Sequence, residues 1–206
     1  MKIAGLLLAA GAGRRLGTPK ALVRDAAGVP WVVLAGRLLR SAGCSPLVVV
    51  VGASADRVRA ELAAEPVEVV EATDWAEGMG ASLRAGLHAL ASEHDVPLPS
   101  PDHGAGIAVA LVVPVDVPGL TPDVLRRVAA RADRSALVRA TYGGRPGHPV
   151  VLGRDHWDGV IAAAVGDQGA RAYFAEHPPV EVECGDLADG RDVDTVDDLP
   201  DGHRIG

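Results

Sequence analysis

Five short runs rich in Val, Leu, Ile and Ala (Ile3 to Ala10, Leu47 to Val51, Val67 to Glu71, Ile107 to Val113 and Ala136 to Ala140) read as strands. Between them, Trp31 to Ser41, Ala55 to Ala64, Ser82 to Ala91 and Pro122 to Ala132 carry apolar residues at helical spacing, as at Leu83, Leu87 and Leu90. The strand runs are almost continuously apolar instead of alternating. That predicts burial on both faces, the condition of a parallel sheet covered by helices. The βαβα order therefore predicts an α/β fold.

Further along, the pattern predicts strands at Pro149 to Leu152 and Val180 to Cys184, and helices near Asp158 to Val165 and Gly169 to Glu176. These extend the sheet and line one side of a cleft. Glu93 to Gly106, with three prolines and two glycines, is too polar and broken for an element and reads as a surface loop. Neither a repeat nor a linker divides the chain, so one domain over residues 1–206 is expected.

Composition narrows the function. Small aliphatic residues with a single Phe fit close helix-on-sheet packing and leave few aromatic platforms for stacking bases. A net charge of −7 excludes a general nucleic-acid binder, which needs a clustered basic surface. Any anionic substrate must meet local cations. Cys44 and Cys184 have no metal-binding spacing and make no disulfide framework, so a reducing, cytoplasmic setting is expected. The opening Lys2 and the apolar run to Ala10 imitate a secretory signal, but the run is short and Arg14 and Arg15 follow at once. A buried first strand accounts for it better. No stretch approaches the ~20 apolar residues that cross a bilayer.

The first strand runs into Leu8-Ala9-Ala10-Gly11-Ala12-Gly13-Arg14-Arg15-Leu16-Gly17-Thr18-Pro19-Lys20, a glycine-rich turn with three cations. Glycines let backbone N–H groups turn toward an anion, and the cations complete the cage. A plain strand-to-helix turn with a solvated basic face is the alternative. The third glycine falls one place too late for G-x-G-x-x-G, and G-x-x-x-x-G-K-[ST] is absent, which weakens dehydrogenase and P-loop ATPase readings. Asp116, in Val112-Val113-Pro114-Val115-Asp116-Val117-Pro118-Gly119, lies just past a buried strand, at the sheet edge where α/β proteins bind ligands; an ordinary loop aspartate is the alternative.

The loop resembles L-A-A-G-x-[SG]-x-R-[ML]-G-x-x-K, the signature of the nucleotidyltransferases related to molybdenum-cofactor synthesis. Five further segments resemble that family in the family's order. Asp116 matches the aspartate of G-D-x-P, with Val115 and Val117 replacing the usual glycine and glutamine. Arg191 to Leu199 resembles the closing D-[IV]-D-T-x-[ED]-D-L, and Glu77 to Leu87 resembles G-M-x-x-S-[LIV]-x-x-G. Gly143 to Val150 and Gly166 to Arg171 resemble G-x-x-G-H-P-[VA] and G-D-x-G-[AL]-R. Thr195 suits a helix N-cap, with Asp197 and Asp198 in the first turn. Ser82 reads locally as a helix cap and Met79 as packing. Asp167 also reads as a cap.

The resemblance implies a Rossmann-like, GT-A-like nucleotidyltransferase fold with a mostly parallel central sheet flanked by helices. It assigns Arg15, Lys20 and Asp116 to catalysis, and Leu8, Ala9, Ala10, Gly11, Ala12, Gly13, Arg14, Lys20, Gly78, Gly80 and Ser82 to the nucleotide. Asp116 and Asp194 would hold Mg2+, whose preference is for hard oxygen donors, and Arg145, His148, Asp167 and Arg171 would meet the acceptor. The implied reaction is transfer of a nucleoside monophosphate to a phosphorylated, pterin-type acceptor with release of pyrophosphate. The Ala-Ala-Gly opening resembles the CTP-using branch more than the GTP-using one. The implied partners are the nucleotide, the acceptor and a molybdoenzyme client, with no nucleic acid and no membrane. Two other readings stay open: a nicotinamide-dependent reductase of quinone-like pigments on this fold, and a non-catalytic maturation factor. His88, His94, His103, His156, His177 and His203 lie outside the motifs.

Overall fold

The structure, a computed structural model, describes residues 1–92 and 106–206. The loop expected from Glu93 to Gly106 therefore lies, apart from Gly106, outside the described residues. In chain order the elements are β1 (Lys2–Leu8), α1 (Trp31–Ser41), β2 (Leu47–Val51), α2 (Ala55–Leu62), β3 (Glu68–Glu71), α3 (Met79–Ser92), β4 (Ile107–Pro114), α4 (Pro122–Ala129), β5 (Leu137–Tyr142), β6 (Arg145–Gly153), α5 (Trp157–Ala163), α6 (Arg171–Glu176) and β7 (Val180–Glu183).

The strands form one sheet in the order β3-β2-β1-β4-β6-β5-β7. All pairings are parallel except those of β6, which runs against both β4 and β5. This is the mostly parallel α/β fold that continuous apolarity predicts. Side chains along β1 go alternately to the two faces. Leu7 and Ala9 join the core under α1, α2 and α4, while Leu6 and Leu8 join Leu83, Leu87, Leu90, Trp157 and Phe174 under α3, α5 and α6. Each large aliphatic side chain so buried contributes roughly 1.5–3 kcal/mol by leaving water. With both faces covered, the strand ends are left open for binding.

Three local differences from the sequence pattern matter for the site. Helix α3 begins at Met79, because the 3-10 turn Trp75–Glu77 ends at Gly78 with φ +121° and the helix starts directly after it. Ser82 is therefore a buried residue inside the helix and not its cap. The strand expected at Pro149 to Leu152 starts at Arg145, since Gly143 and Gly144, with φ of +60° and +76°, make a tight turn that pairs Arg145 with Tyr142. Asp167 lies in a 3-10 turn, Gly166–Gln168; the following helix starts at Arg171 and has no side-chain cap. No helix among the described residues is long and apolar enough to cross a membrane.

Candidate active site

β1 ends at Leu8, and the chain then leaves the sheet into the glycine-rich loop. Ala9 still donates its N–H to Val50 O at 2.8 Å, and Ala53 N–H reaches Ala10 O at 2.9 Å, so the loop starts from a fixed base. Leu16 and Thr18 are buried, anchoring its far side, while Arg14 and Arg15 stay exposed. The turn closes through Gly17 N–H to Gly13 O at 2.8 Å, with Gly13 at φ +59° and a Cβ there overlapping the Thr18 carbonyl. Among the described residues, the N–H groups from Gly11 to Arg15 have no hydrogen-bond acceptor within the protein. Consecutive free N–H groups beside cations are an anion-binding arrangement.

A 3-10 turn, Lys20–Leu22, carries Lys20 toward the end of β4. Its ammonium nitrogen lies 2.9 Å from Asp116 Oδ2 and 2.6 Å from Asp194 Oδ1. Asp116 lies just past Val115, beyond the end of β4 at Pro114. Asp194 is brought beside it by the Val193 N–H, which donates to the Asp116 main-chain oxygen at 2.9 Å. Arg15 adds a looser, exposed pair with Asp194 at 3.4 Å. Burial disfavours the Lys20 ammonium, but the charges of Asp116 and Asp194 and their hydrogen bonds outweigh it, so its pKa is raised. The hydrogen bond and charge of Lys20 hold the Asp194 carboxyl below its ordinary range. Thr195 and Asp198 stabilise the adjoining turn, the carboxylate accepting from the Thr195 N–H at 2.9 Å and from its hydroxyl at 2.6 Å.

The cleft above these groups, about 390 Å³, brings together Leu8, Ala10 and the loop from Gly11 to Arg15 with Lys20, Asp116 and Asp194. Gly78 and Ser82 line its other side, together with Asp167, which stands against Gly78 and not with the other acceptor-side residues. Ala9 is in the core beneath the floor. Gly80 is a packing position: a Cβ there would stand 2.6 Å from Ala164 O. Arg145 is exposed at the β5–β6 turn and does not line the cleft.

His148 is half-buried on β6 and has charged neighbours that include Asp116, Arg171 and Asp192. Burial is the largest influence and lowers its pKa; Asp116 and Asp192 oppose that shift and Arg171 adds to it. Burial thus favours the neutral, hydrogen-bonding imidazole over the cation. Trp75 and Met79 also line the cleft. In the sequence Met79 reads as packing, and Trp75, a lone aromatic in a polar stretch with no periodic neighbour, carries no functional mark.

Asp116 and Asp194 supply two hard oxygen donors aimed at one point, the point Lys20 holds. Among the described residues, no cluster of three or more His, Cys, Asp or Glu side chains is built to hold a metal. A two-carboxylate set fits Mg2+, which keeps waters and shares phosphate oxygens instead of sitting in an all-protein cage.

Residues 5–181 match the MobA-like NTP transferase domain family. The chain is 33% identical to the nicotine blue oxidoreductase of Paenarthrobacter nicotinovorans, over 96% of this chain and 94% of that protein. It is 34% identical to the molybdenum cofactor guanylyltransferase of Rhodobacter capsulatus, over 78% of this chain and 68% of that protein. Among solved structures, Rv0371c of Mycobacterium tuberculosis H37Rv in complex with manganese superposes with a TM-score of 0.72 at 28% identity, covering 96% of each chain.

Proposed function

Because this chain belongs to the MobA-like NTP transferase domain family, a family of nucleotidyltransferases, we propose that it transfers CMP from CTP to the phosphate of a pterin-type acceptor with Mg2+. The observation that carries this reading is the convergence of Lys20, Asp116 and Asp194 at the mouth of a loop whose N–H groups from Gly11 to Arg15 have no acceptor among the described residues. The buried free thiols Cys44 and Cys184 favour a reducing, cytoplasmic setting.

The acceptor phosphate oxygen attacks the α-phosphorus in line; the bond to the α–β bridging oxygen breaks, and pyrophosphate leaves with that electron pair. A phosphate monoester is already a nucleophilic anion, so no covalent enzyme intermediate and no strong general base is needed. The loop N–H groups and Arg14 hold the triphosphate, and Arg15 and Lys20 offset charge on its oxygens. Asp116 and Asp194 would hold Mg2+, which when bound supplies Lewis-acid neutralisation of the phosphoryl oxygens. His148 and Arg171 would orient the acceptor beside Asp116, and Arg145 would meet it from the hairpin turn.

A second reading is favoured by the 33% identity to an oxidoreductase over nearly the whole chain: reduction of a quinone-like pigment by a nicotinamide nucleotide. Thermal-shift titrations with CTP, GTP, ATP and NADPH, each with and without Mg2+, separate the two, because a specific ligand stabilises the folded state by mass action. A Mg2+-dependent shift with one triphosphate, followed by pyrophosphate release that Asp116→Asn abolishes, is expected. A shift with NADPH alone rejects the transferase reading.

A further inference from the structure

Among the three tryptophans, Trp31 and Trp157 are fully buried and their indole N–H groups are satisfied inside the protein, by His203 Nδ1 at 3.0 Å and Leu152 O at 2.9 Å. Trp75 differs on both counts. It is only partly buried, it is one of the residues that line the cleft, and among the described residues its indole N–H has no protein acceptor. The Trp75 indole nitrogen is open to solvent, and so to an acceptor atom on a ligand.

The ring is held firmly. Gly52 lets it approach so closely that a Cβ on Gly52 would stand 2.6 Å from Trp75 Cβ and 2.9 Å from Ala10 Cβ. Its 3-10 turn is fixed from below by Arg84, which bonds Asp74 at 2.6 Å, Glu77 at 2.9 Å and Ala164 O at 2.6 Å. A rigid platform with one free donor loses little entropy on meeting a ligand.

Its position also separates it from Lys20, Asp116 and Asp194. Trp75 follows β3, and its support Gly52 follows β2, both on one side of β1 in the sheet order. Asp116 follows β4, on the other side, and draws Lys20 and Asp194 with it. The glycine-rich loop after β1 lies between. Along the sheet edge the Lys20–Asp116–Asp194 cluster thus stands at one end of the cleft and the Trp75 indole at the other.

Resting on the transferase reading, we propose that Trp75 is a nucleoside-positioning residue: its ring packs against the nucleoside of the bound triphosphate, and its N–H donates to an acceptor atom on that nucleoside.

The test uses the full-length protein and the triphosphate that stabilises it, with intrinsic fluorescence and thermal shift read in parallel. Saturable quenching of the wild-type emission is expected, with the same midpoint as the thermal shift. Trp75→Phe, which keeps a flat ring and removes the donor, should abolish the fluorescence response and weaken binding roughly 3- to 10-fold. Trp75→Leu, which also removes the ring, should weaken it by roughly 10- to 100-fold. Both losses should appear in KM more than in kcat, and inorganic triphosphate, which has no nucleoside, should bind all three proteins equally. Quenching that persists in Trp75→Phe, or wild-type affinity in both variants, overturns the role of Trp75 and leaves the transferase reading intact. A wild type that binds no triphosphate overturns both.

Discussion

Lys20 fills the space between Asp116 and Asp194, within 2.9 Å of one carboxylate and 2.6 Å of the other. Two carboxylates this close repel, and the ammonium is what offsets the repulsion. Breaking a fully buried ion pair costs about 3–5 kcal/mol. Here the three side chains are 16%, 22% and 45% exposed, so solvent screening cuts the cost of Lys20→Met to about 1–2 kcal/mol. In calorimetry the variant should melt roughly 3–6 °C lower than wild type. Millimolar Mg2+ without nucleotide should recover part of that loss, because a divalent ion replaces the missing charge, and should leave the wild type unmoved. Equal melting of the two proteins would show that the contact does not contribute to stability.

Gly13 and Gly17 both have positive φ, yet they should respond differently to alanine. At Gly17 nothing lies within 4 Å of a new Cβ, so the cost is the left-handed backbone alone, about 1–2 kcal/mol. At Gly13 the Cβ overlaps the Thr18 carbonyl, and the turn itself must open. Gly13→Ala should lose nucleotide affinity at least about 10-fold by isothermal titration, with Gly17→Ala losing much less. Equal affinities would mean that the loop is remade on binding.

Gly80→Ala separates a packing role from a ligand role. The added methyl meets Ala164 O and should push α3 from the end of α5, at a cost of about 1–3 kcal/mol typical of overpacking. The melting temperature of the ligand-free protein should fall, while the affinity of the remaining folded fraction for nucleotide stays near wild type. Unchanged melting with weakened binding would place Gly80 in the nucleotide contact instead.

Glu183 pins the β5–β6 turn by accepting from the N–H groups of Gly143, Gly144 and Gly185 and from the Thr141 hydroxyl. These bonds, that from Gly143 foremost, lower its pKa from 4.5 to about 2. A depressed carboxyl stabilises fully above its unfolded pKa and stops doing so as pH falls through its folded one. The turn should hold unchanged from neutral pH to about 4.5 and loosen toward 2. NMR amide shifts of the three glycines should titrate together with a midpoint near 2; a midpoint near 4.5 would mean that the bonds are not made in solution.

The uneven legibility of these features has a physical basis. Local chemistry makes the β1 loop readable, since glycines and cations crowd into a short stretch, and the continuous apolarity of β1, β2 and β4 reports a sheet buried on both faces. Strand direction leaves no such mark. Pro149 to Leu152 reads the same in a parallel or an antiparallel strand, and only the Gly143-Gly144 pair hints at the hairpin that reverses β6. Gly80 looked like a flexible ligand contact because its packing partner, Ala164, is remote in the chain. Trp75 was invisible for a similar reason: the glycine that seats it lies on a different strand end. Asp116 and Asp194 were paired by family motif, and their convergence on Lys20 is a property of the folded chain alone.

The bond from Val193 N–H to the Asp116 main-chain oxygen joins one carboxylate to a segment synthesised late in the chain. Chains leave the ribosome N-terminus first, so the glycine-rich loop, Lys20 and Asp116 exist well before Asp194 emerges. Until then Lys20 has one carboxylate partner in place of two. A chain cut after β7 would keep the sequence of every strand but lose Asp194, half of the acidic pair, together with the core residues Cys184 and Val193.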